Sequence, residues 1–279
     1  MIRARHFRKG FRILHSVVTR RPLDADLAQS LRIIEMRWRR WRNSLTSPTL
    51  DARLHHEFNL WAELGVGEGM YNPHLRITQQ ALERMNVQPG ERVLDLGCGA
   101  GLGSRLLGEA VGPKGRVLAM DISDRMLLRA RTANAMLKHV AFTCGSSEHL
   151  PFTDDLFDKA LSVEAFYYFE DQEKALAELQ RVLVPSGRLF VLICLYKDHQ
   201  DSLATVDGVN VPVHVRSIQE YEQLFRSEGW QDVQSHEFVR QRTNGEKPDV
   251  HDRALLLSAQ KPALKSMSGA RAVAGALIF

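Results

Sequence analysis

The pattern of hydrophobic and polar positions changes character near residue 90. From Pro89 onward, short apolar segments alternate with stretches in which apolar residues recur at helical spacing. The apolar segments are rich in Val, Leu, Ile and Phe on both faces, which is typical of strands in a parallel sheet covered on two sides by helices. The predicted strands are ERVLDLG, GRVLAMD, VAFTCG, FDKALSVEAF and GRLFVLICLY, and the helices between them are GLGSRLLGEAV, SDRMLLRARTANAML and DQEKALAELQRVL. The pattern therefore predicts a doubly wound α/β fold.

Further elements are predicted on both sides of this segment. After it, the helix SIQEYEQLFRSEGW is followed by the strands WQDVQSHEFV and RALLLSAQ, which a polar loop separates. Two consecutive strands joined by a loop predict an antiparallel pair at one edge of the sheet. Residues 51–89 are predicted to form the helices LDARLHHEFNLWAEL and HLRITQQALERM around the linker GVGEGMYNP, and residues 263–279 are predicted to form a loosely ordered tail.

The charge of the chain is unevenly distributed. Of its 37 basic and 33 acidic residues, 12 basic and 3 acidic ones lie in residues 1–50, so this extension carries +9 and the remainder carries −5. A groove that tracks nucleic acid would need a basic stripe on the main body. The composition therefore excludes DNA as an expected partner and disfavours RNA.

The basic extension, residues 1–50, is open to several interpretations. Trp and Arg recur at helical spacing within residues 24–45, and such an amphipathic helix can lie on an anionic membrane surface. The same charges can contact RNA, and residues 1–23, which are rich in Arg and free of acidic residues, can form an organelle-targeting presequence. The segment can also pack on the domain, or precede a true start at Met36. We favour a helix that is packed on the domain or lies on a membrane surface.

Compartment and metal content follow from what the sequence does not contain. Its apolar runs are shorter than the ~20 residues that cross a bilayer, so we expect a cytoplasmic protein, with or without peripheral membrane contact. The three cysteines, Cys98, Cys144 and Cys194, lie in or beside apolar runs and are predicted to be buried, reduced thiols. The 11 histidines show no metal-ligand spacing, so no metal site is predicted. The oligomeric state is not indicated by any of these features.

The glycine-rich stretch VLDLGCGAGLGS follows the first predicted strand. In doubly wound folds, the turn from such a strand into a helix is where nucleotides bind. The strict dinucleotide pattern is absent, because its third glycine would fall on Leu102 or Ser104. Asp95 at the strand tip would repel a pyrophosphate and suits a cationic ligand such as S-adenosylmethionine. Asp121, which ends the second strand, is placed to hydrogen-bond the hydroxyls of a ribose.

Four motifs carry a resemblance to a known family. VLDLGCGAG, DIS, GSSEHLPFTDDLFDKAL and ELQRVLVPSGRLFVL resemble the class I S-adenosylmethionine-dependent methyltransferases, in the small-molecule branch that includes quinone, tocopherol and sterol C-methyltransferases. The resemblance covers roughly residues 60–262. It implies a Rossmann-like seven-stranded sheet of order 3-2-1-4-5-7-6 with the last strand antiparallel. A methyltransferase domain at residues 90–262 would follow a helical lid at residues 51–89, with S-adenosylmethionine as the cofactor.

The resemblance also implies roles for individual residues around the cofactor. The glycines would approach its methionine part, with Asp95 near the ammonium, Asp121 on the ribose and Ile122 on the adenine. The family often has Gly-Asp-Ala-Glu at the adenine edge, whereas this chain has a hydroxyl in place of the aspartate. The residues implied in cofactor binding are Asp95, Gly97, Gly99, Gly101, Asp121, Ile122, Ser146, Ser147, Glu148 and, from the lid, Tyr71.

The acceptor side is predicted from position. Glu164 at the end of the fourth strand faces the same crevice as the glycine turn, and burial would raise its pKa toward that of a useful base. Tyr168 belongs to an aromatic cluster that can shape an acceptor pocket, and His214 lies in a loop where such enzymes contact substrate. Trp61 and His74 in the predicted lid can also reach the methionine part or the acceptor. Each of these side chains also has a purely structural interpretation, as core or as a satisfied polar group.

These features favour one function and leave others open. The favoured reading is transfer of a methyl group from S-adenosylmethionine to a carbon or oxygen of a small, lipid-like or quinone-like molecule. The Asn/Asp-Pro-Pro-Tyr/Phe and Pro-Cys motifs of base-modifying enzymes are absent, which also disfavours DNA. The alternative is an RNA or protein methyltransferase that docks through the basic extension. A third reading is a cofactor-binding regulator without turnover.

Overall fold

The computed structural model describes residues 49–66, 71–203, 211–241 and 249–263, and the side chains of residues 71–73 are not part of that description. The basic extension therefore lies outside the described residues, together with the membrane contact predicted at residues 24–45 and the targeting segment predicted at residues 1–23. All of the predicted tail after residue 263 lies outside them as well. Within the described part, no helix combines the length and the apolar character needed to cross a membrane.

Two helices precede the sheet. Helix α1, Leu50–Leu64, begins where the Thr49 side chain accepts a hydrogen bond from the backbone N–H of Ala52, and it ends at Gly65 in the left-handed conformation. Helix α2, Tyr71–Met85, begins earlier than its predicted start at His74. The linker was predicted to extend through Pro73, but proline is tolerated in the first turn of a helix because no intrahelical donor is needed there.

The seven strands form one sheet in the order β3-β2-β1-β4-β5-β7-β6, which confirms the predicted order. Strand β7 runs antiparallel to both of its neighbours, β5 and β6, whereas the pairs formed among β1 to β5 are parallel. The predicted antiparallel edge is therefore confirmed. The strands are β1 Arg92–Leu96, β2 Arg116–Asp121, β3 Val140–Cys144, β4 Phe157–Val163, β5 Leu183–Ile193, β6 Gln231–Val239 and β7 Arg253–Gln260.

Helices cover both faces of this sheet, and the strand side chains alternate between two cores. Leu94 and Leu96 of β1 belong to one hydrophobic cluster, whereas Val93, the residue before Leu94, belongs to the other. Strands buried on two faces account for the continuous apolar runs in the sequence. The helices that follow α2 are α3 Leu102–Val111, α4 Asp124–Ala133, α5 Gln172–Val182, α6 Gln200–Leu203 and α7 Ile218–Ser227.

The boundaries of strands β4 and β5 differ most from the prediction. Strand β4 ends at Val163, and a short 3-10 helix, Phe166–Tyr168, occupies the segment that was predicted to continue it. The strand ends there because the next residue, Glu164, takes a left-handed backbone conformation with φ of 53°. Strand β5 begins at Leu183 rather than at Gly187, and its pairing with β4 has an irregularity in register between Phe157 and Lys159.

The cysteine prediction is confirmed for two of the three thiols. Cys98, Cys144 and Cys194 are all free of disulfides, and Cys98 and Cys194 are buried. The prediction was wrong for Cys144, which is exposed at the end of β3. Strand β3 is an edge strand, so the alternation that buries a side chain inside the sheet does not enclose this one.

Candidate functional site

A cavity lies at the carboxyl ends of β1, β2 and β4, beneath helix α1. Strand β1 has β2 on one side and β4 on the other, so this is the point at which the strand order reverses and where ligands bind in such sheets. The cavity brings together most of the residues predicted for the site. Those that line it are Asp95, Gly97, Gly99, Asp121, Ile122, Ser146, Ser147, Glu164 and Tyr168.

The glycine turn after β1 is held tightly against the neighbouring strands. The backbone N–H groups of Gly97 and Cys98 both donate to the carbonyl of Met120, at 2.8 and 3.0 Å. A Cβ atom added to Gly97 would lie 2.3 Å from the Cβ of Ala165, so only glycine allows this approach of the β1 and β4 tips. At Gly99, by contrast, an added Cβ would meet nothing within 4 Å. The turn therefore closes on the sheet at its first glycine and opens at its second.

Gly101 has a different position from the one predicted. It does not line the cavity, and an added Cβ would lie 2.6 Å from Nδ2 of Asn134 and 2.9 Å from the Cβ of Ala130. Its carbonyl accepts a hydrogen bond from the same Asn134 side chain at 3.1 Å. This glycine therefore lets the start of α3 pack against α4, and it shapes the turn from behind.

Asp121 organises the turn through both of its carboxylate oxygens. Oδ2 accepts a hydrogen bond from the backbone N–H of Gly99, and Oδ1 accepts one from the backbone N–H of Ser123, each at 2.8 Å. Burial raises the pKa of this carboxyl, and the backbone hydrogen bonds oppose that rise. Each carboxylate oxygen can accept two hydrogen bonds, so the oriented group retains acceptor capacity toward the cavity.

Asp95 is the most buried carboxyl of the site, with 1% of its surface exposed. The hydroxyl of Ser104 donates to its Oδ2 at 2.6 Å. Burial raises the pKa of Asp95 to about 7; the negative charge of Asp121 adds to the rise and the Ser104 hydrogen bond opposes it. A carboxyl with a pKa near 7 is only partly ionised at neutral pH, and a cation bound beside it favours loss of the proton and a full negative charge.

The charge of the cavity favours a cationic ligand. Among the described residues that line it there is no Lys or Arg. A pyrophosphate would have no cationic partner here and would face several carboxylates, whereas an ammonium or sulfonium would be attracted by them. The acidic residues of the lining are Asp51, Asp95, Asp121, Glu164 and Glu170.

The residues predicted at the adenine edge separate into two groups. Ser146 and Ser147 line the cavity beside Ile122. Glu148 does not line it, and its carboxylate accepts a hydrogen bond from the backbone N–H of Asp171 at 3.0 Å, at the start of α5. This hydrogen bond links the loop after β3 to helix α5, and the role of Glu148 in cofactor binding stays a prediction. We call the wall formed by Asp95, residues 97–99, Asp121, Ile122 and residues 145–147 the glycine side of the cavity.

Glu164 is fixed in the cavity by its backbone and its side chain. Its backbone N–H donates to the carbonyl of Leu192 at 2.8 Å. Its carboxylate accepts a hydrogen bond from the backbone N–H of Cys194 through Oε1 and one from the hydroxyl of Tyr167 through Oε2. Burial raises the pKa of Glu164, and the Cys194 hydrogen bond opposes the rise. Because Glu164 has a left-handed backbone conformation, its carboxylate is directed toward the end of β5. The side chain of a residue that continued strand β4 would have a different direction.

Aromatic side chains line the same part of the cavity as Glu164. The ring of Phe58 makes edge contacts with Trp61 and with Tyr168, at centroid distances of 5.4 and 5.0 Å. The indole N–H of Trp61 donates to Oε1 of Glu57 at 2.8 Å, which fixes the orientation of that ring. We call the wall formed by Phe58, Trp61, His74, Glu164 and Tyr168 the aromatic side of the cavity.

Helix α1 is attached to the glycine side by a polar cluster that no sequence pattern predicted. Asn59 donates to Asp124 Oδ1 at 2.7 Å and accepts from the hydroxyl of Ser123 at 2.5 Å. The backbone N–H of Arg125 also donates to Asn59, at 3.2 Å. Ser123 also donates its backbone N–H to Asp121. Ser123 therefore connects helix α1, which carries Phe58 and Trp61, to the carboxylate of Asp121.

Two further predicted residues are His214 and Tyr71. His214 does not line the cavity: its backbone N–H donates to the carbonyl of Tyr167 at 2.7 Å, and its buried Nε2 has no hydrogen-bond partner among the described residues. The segment after β5 thus contacts the 3-10 helix through this bond, and the catalytic role of His214 stays a prediction. The Tyr71 side chain lies outside the described residues, so its role stays a prediction.

A second group of polar residues meets at the aromatic side. Nε2 of His74 lies 2.9 Å from Nε2 of His251, and Nδ1 of His251 lies 2.8 Å from Oδ1 of Asp249. Burial, with a smaller effect of His251, lowers the pKa of His74 to about 4. His74, His251 and Glu164 offer ligand atoms within 4.8 Å of one another. The sequence predicted no metal site, because residues so far apart in the chain form no spacing pattern.

Comparison with known proteins agrees with this geometry. The methyltransferase-domain family matches residues 94–191. Demethylmenaquinone methyltransferase of Halalkalibacterium halodurans is 34% identical over 152 residues, which are 53% of this chain and 61% of the relative. The chain spans about half the length of the curated relatives that it matches.

Solved structures show the same architecture. A protein solved in complex with the Trm112 methyltransferase activator of Haloferax volcanii superposes with a TM-score of 0.66 at 28% identity, over 74% of this chain and 98% of that one. A SAM-dependent methyltransferase of Aquifex aeolicus superposes with a TM-score of 0.51 at 22% identity, over 66% of this chain and 89% of that one, which shows the shared fold. Residues 94–191 therefore match the methyltransferase-domain family, and the fold is the one found in S-adenosylmethionine-dependent methyltransferases.

Proposed function

We propose that the protein transfers the methyl group of S-adenosylmethionine to a carbon or oxygen atom of a small molecule with an apolar, ring-bearing body. The observation that carries this proposal is the division of one cavity into a glycine side and an aromatic side. The first fits the cofactor and the second fits the acceptor. Similarity to a demethylmenaquinone methyltransferase supports an acceptor of quinone-like or lipid-like character.

The glycine side fits the cofactor in charge and in shape. Asp121 offers oriented carboxylate oxygens to a ribose, and Ile122 offers an apolar surface to the adenine between Asp121 and Ser146. Asp95 offers a negative charge to the ammonium of the methionine part. The open space at Gly99 lets the backbone approach the ligand. When bound, the cofactor supplies an electrophilic methyl group on a sulfonium ion.

The aromatic side fits an acceptor whose nucleophilic atom must be aligned and freed of its proton. Phe58, Trp61 and Tyr168 form rigid apolar walls, and transfer in line with the leaving sulfur depends mainly on such positioning. Glu164 is the anionic group at this side, and we assign to it the activation of the acceptor. Tyr168 serves as a wall of the acceptor site.

Transfer of an isotopic label tests this function. The full chain is incubated with S-adenosylmethionine carrying a trideuterated methyl group and with a metabolite extract, and the products are identified by mass spectrometry. We expect label in a low-molecular-weight, apolar product, and we expect Asp121→Asn to lose it while Asp124→Asn, three residues away and exposed, retains it. Absence of label from every small molecule, with cofactor binding intact, would contradict the proposal.

The basic extension supports a second candidate, an RNA or protein methyltransferase that docks through residues 1–50. Its charge of +9 is the observation in favour, and the structural relative bound to Trm112 shows that a protein of this fold is found with an activator. Deleting residues 1–45 separates the two functions. The small-molecule function predicts that labelling of a soluble acceptor survives the deletion, whereas the docking function predicts that all labelling is lost.

A further inference from the structure

The three residues His74, His251 and Glu164 converge from three distant parts of the chain. His74 lies on α2, Glu164 follows β4, and His251 lies in the 3-10 helix Val250–Asp252 that leads into β7. One ligand atom from each lies within 4.8 Å of the others, and His74 and Glu164 also line the cavity. Two imidazoles and one carboxylate are a donor set used by catalytic Zn²⁺ sites and by other divalent transition metals.

The two imidazoles are oriented with their Nε2 atoms facing each other. Nδ1 of His251 is placed at 2.8 Å from the carboxylate of Asp249, so it donates its proton there and leaves the Nε2 lone pair directed at His74. Arg76 donates to the carbonyl of His251 at 2.6 Å and fixes the segment that carries this ring. A carboxylate on the outer nitrogen is the usual partner of a metal-ligating histidine.

The distance between the rings is close to that of a bound pair of ligands. Their Nε2 atoms are 2.9 Å apart. Two nitrogens at the usual Zn–N distance in a tetrahedral site are about 3.3 Å apart, so a displacement of about 0.4 Å opens the pair to a metal ion. This is within the range of a small side-chain rotation, and the backbone does not have to move.

The third ligand is held in place in the same manner. The carboxylate of Glu164 accepts hydrogen bonds from the backbone N–H of Cys194 and from the Tyr167 hydroxyl. Neither donor neutralises the negative charge, because a backbone amide and a phenol are both uncharged. The left-handed backbone at Glu164 is a conformation that non-glycine residues adopt at a cost, and such strain concentrates at functional sites.

We propose that His74, His251 and Glu164 bind one divalent transition-metal ion of the Zn²⁺ type at the aromatic side of the cavity. The three protein ligands leave a coordination position open toward the cavity, which His74 and Glu164 line. An oxygen of the acceptor can occupy that position. That the ion acts together with Glu164 to activate the acceptor rests on the proposed function, whereas the metal site itself does not.

Metal titration tests the site without any assay of activity. The full chain is stripped with a chelator and titrated with Co²⁺, whose visible absorption reports its coordination, and with Zn²⁺ by calorimetry. We expect one equivalent per chain with the spectrum of a nitrogen- and oxygen-ligated ion. Each of His74→Gln, His251→Gln and Glu164→Gln lowers the affinity by more than the ~10–100-fold that loss of an outer partner costs, and Asp249→Asn lowers it by about that amount.

Matched controls keep the outcome decisive. His236→Gln removes an imidazole from strand β6, where its ring contacts Phe238, and leaves the affinity unchanged. Circular dichroism and S-adenosylmethionine binding verify that His251→Gln is folded. Equal metal affinity in the wild type and in the three ligand variants would overturn the proposal, and so would the absence of binding to a folded wild-type chain. Failure of methyl transfer with metal binding intact would count against the proposed function alone.

Discussion

The glycine side and the aromatic side of the cavity differ in how they are built. The glycine side consists of backbone turns at the ends of adjacent strands, joined by hydrogen bonds such as those from Gly97 to Met120 and from Gly99 to Asp121. The aromatic side consists of side chains from α1, α2 and the segment after β4, which meet only through tertiary packing. In the proposed function, the cofactor, which many proteins share, binds at the glycine side, and the acceptor, which is particular to this protein, binds at the aromatic side.

This difference indicates which residues can change the specificity for the acceptor without loss of cofactor affinity. Substitutions on the aromatic side alter contacts of individual side chains, and the sheet that positions the glycine turn is unaffected by them. Substitutions on the glycine side alter the spacing of strands. The comparison therefore predicts large effects on cofactor affinity from the glycine side and smaller, acceptor-specific effects from the aromatic side.

The largest effect is expected from Gly97→Ala. The added methyl would lie 2.3 Å from the Cβ of Ala165, far inside the ~3.5–4.0 Å of a carbon contact, so the tips of β1 and β4 must separate. We expect S-adenosylmethionine affinity, measured by calorimetry, to fall at least about 100-fold, a loss of about 2.7 kcal/mol. Gly112→Ala has a similar positive φ but open space around the added carbon. Its φ of 63° and ψ of −176° are nearly confined to glycine, so the variant is predicted to cost ~1–3 kcal/mol of unfolding free energy and to leave the affinity intact. Equal loss of S-adenosylmethionine affinity in both variants would contradict the assignment of the cofactor to the glycine side.

A somewhat smaller loss is expected from Asp121→Asn. The amide cannot accept from both Gly99 and Ser123, and it offers no charge to a ribose. Hydrogen bonds to charged groups contribute ~1.5–3 kcal/mol, so cofactor affinity is predicted to fall by about 10- to 100-fold. Asp124→Asn removes the same charge at an exposed position nearby and is expected to stay within about threefold of the wild type. Wild-type cofactor affinity in Asp121→Asn would contradict the assignment of Asp121 to the ribose.

A pH dependence of about tenfold is expected from Asp95. Its pKa is about 7 in the protein without ligand, and a cationic ligand favours the ionised form. Cofactor affinity should therefore rise as pH increases through 7, by at most ~10-fold per pH unit, and then level off. Asp95→Asn should bind weakly at every pH with no such rise. A calorimetric titration from acidic to alkaline pH checks this, and a flat profile in the wild type contradicts the assignment.

The same carboxyl predicts how the stability of the unliganded protein depends on pH. Its ordinary value is 3.8 and its folded value about 7, so the folded state holds the proton more tightly. The contribution of Asp95 to stability is complete below the ordinary value and is lost as pH rises through about 7. Asp95→Asn removes that decline, and thermal melts across this range compare the two proteins.

The smallest effect is expected from Phe58→Leu on the aromatic side. The substitution removes edge contacts with Trp61 and Tyr168, and such aromatic pairs contribute ~0.5–1.5 kcal/mol beyond burial. We expect KM for the acceptor identified by the labelling experiment to rise about two- to tenfold. S-adenosylmethionine affinity should stay within about twofold of the wild type. Phe238→Leu, on β6, serves as the aromatic control and should change neither quantity. A loss of cofactor affinity in Phe58→Leu would mean that the two sides are not separable.

The fold and the glycine side were largely predictable from sequence because their signals are local. The strand order was implied by motifs in a fixed succession, and Asp95 and Asp121 end or nearly end strands whose apolar runs are plain in the sequence. Gly101 and Glu148 were predicted on that side from their residue types. Gly101 contacts α4 and Glu148 contacts the start of α5, and their roles in cofactor binding stay predictions.

The aromatic side was less predictable because it is assembled from distant segments. His74 and His251 are separated by 177 positions, and the left-handed turn at Glu164 depends on the adjacent end of β5 rather than on neighbours in sequence. Asn59 gave no signal, since its partners at Ser123 and Asp124 belong to another helix. The role of His214 stays a prediction, because no sequence pattern tells which way a histidine in a loop near the site faces.

A crystal structure of the protein with S-adenosylhomocysteine tests the division of the cavity most directly. The account predicts the ribose hydroxyls at hydrogen-bond distance, about 2.7 Å, from the carboxylate of Asp121. It also predicts the adenine against Ile122 and the sulfur facing Glu164 and Tyr168. An adenine seated among Phe58, Trp61 and Tyr168, with the glycine side unused, would contradict it.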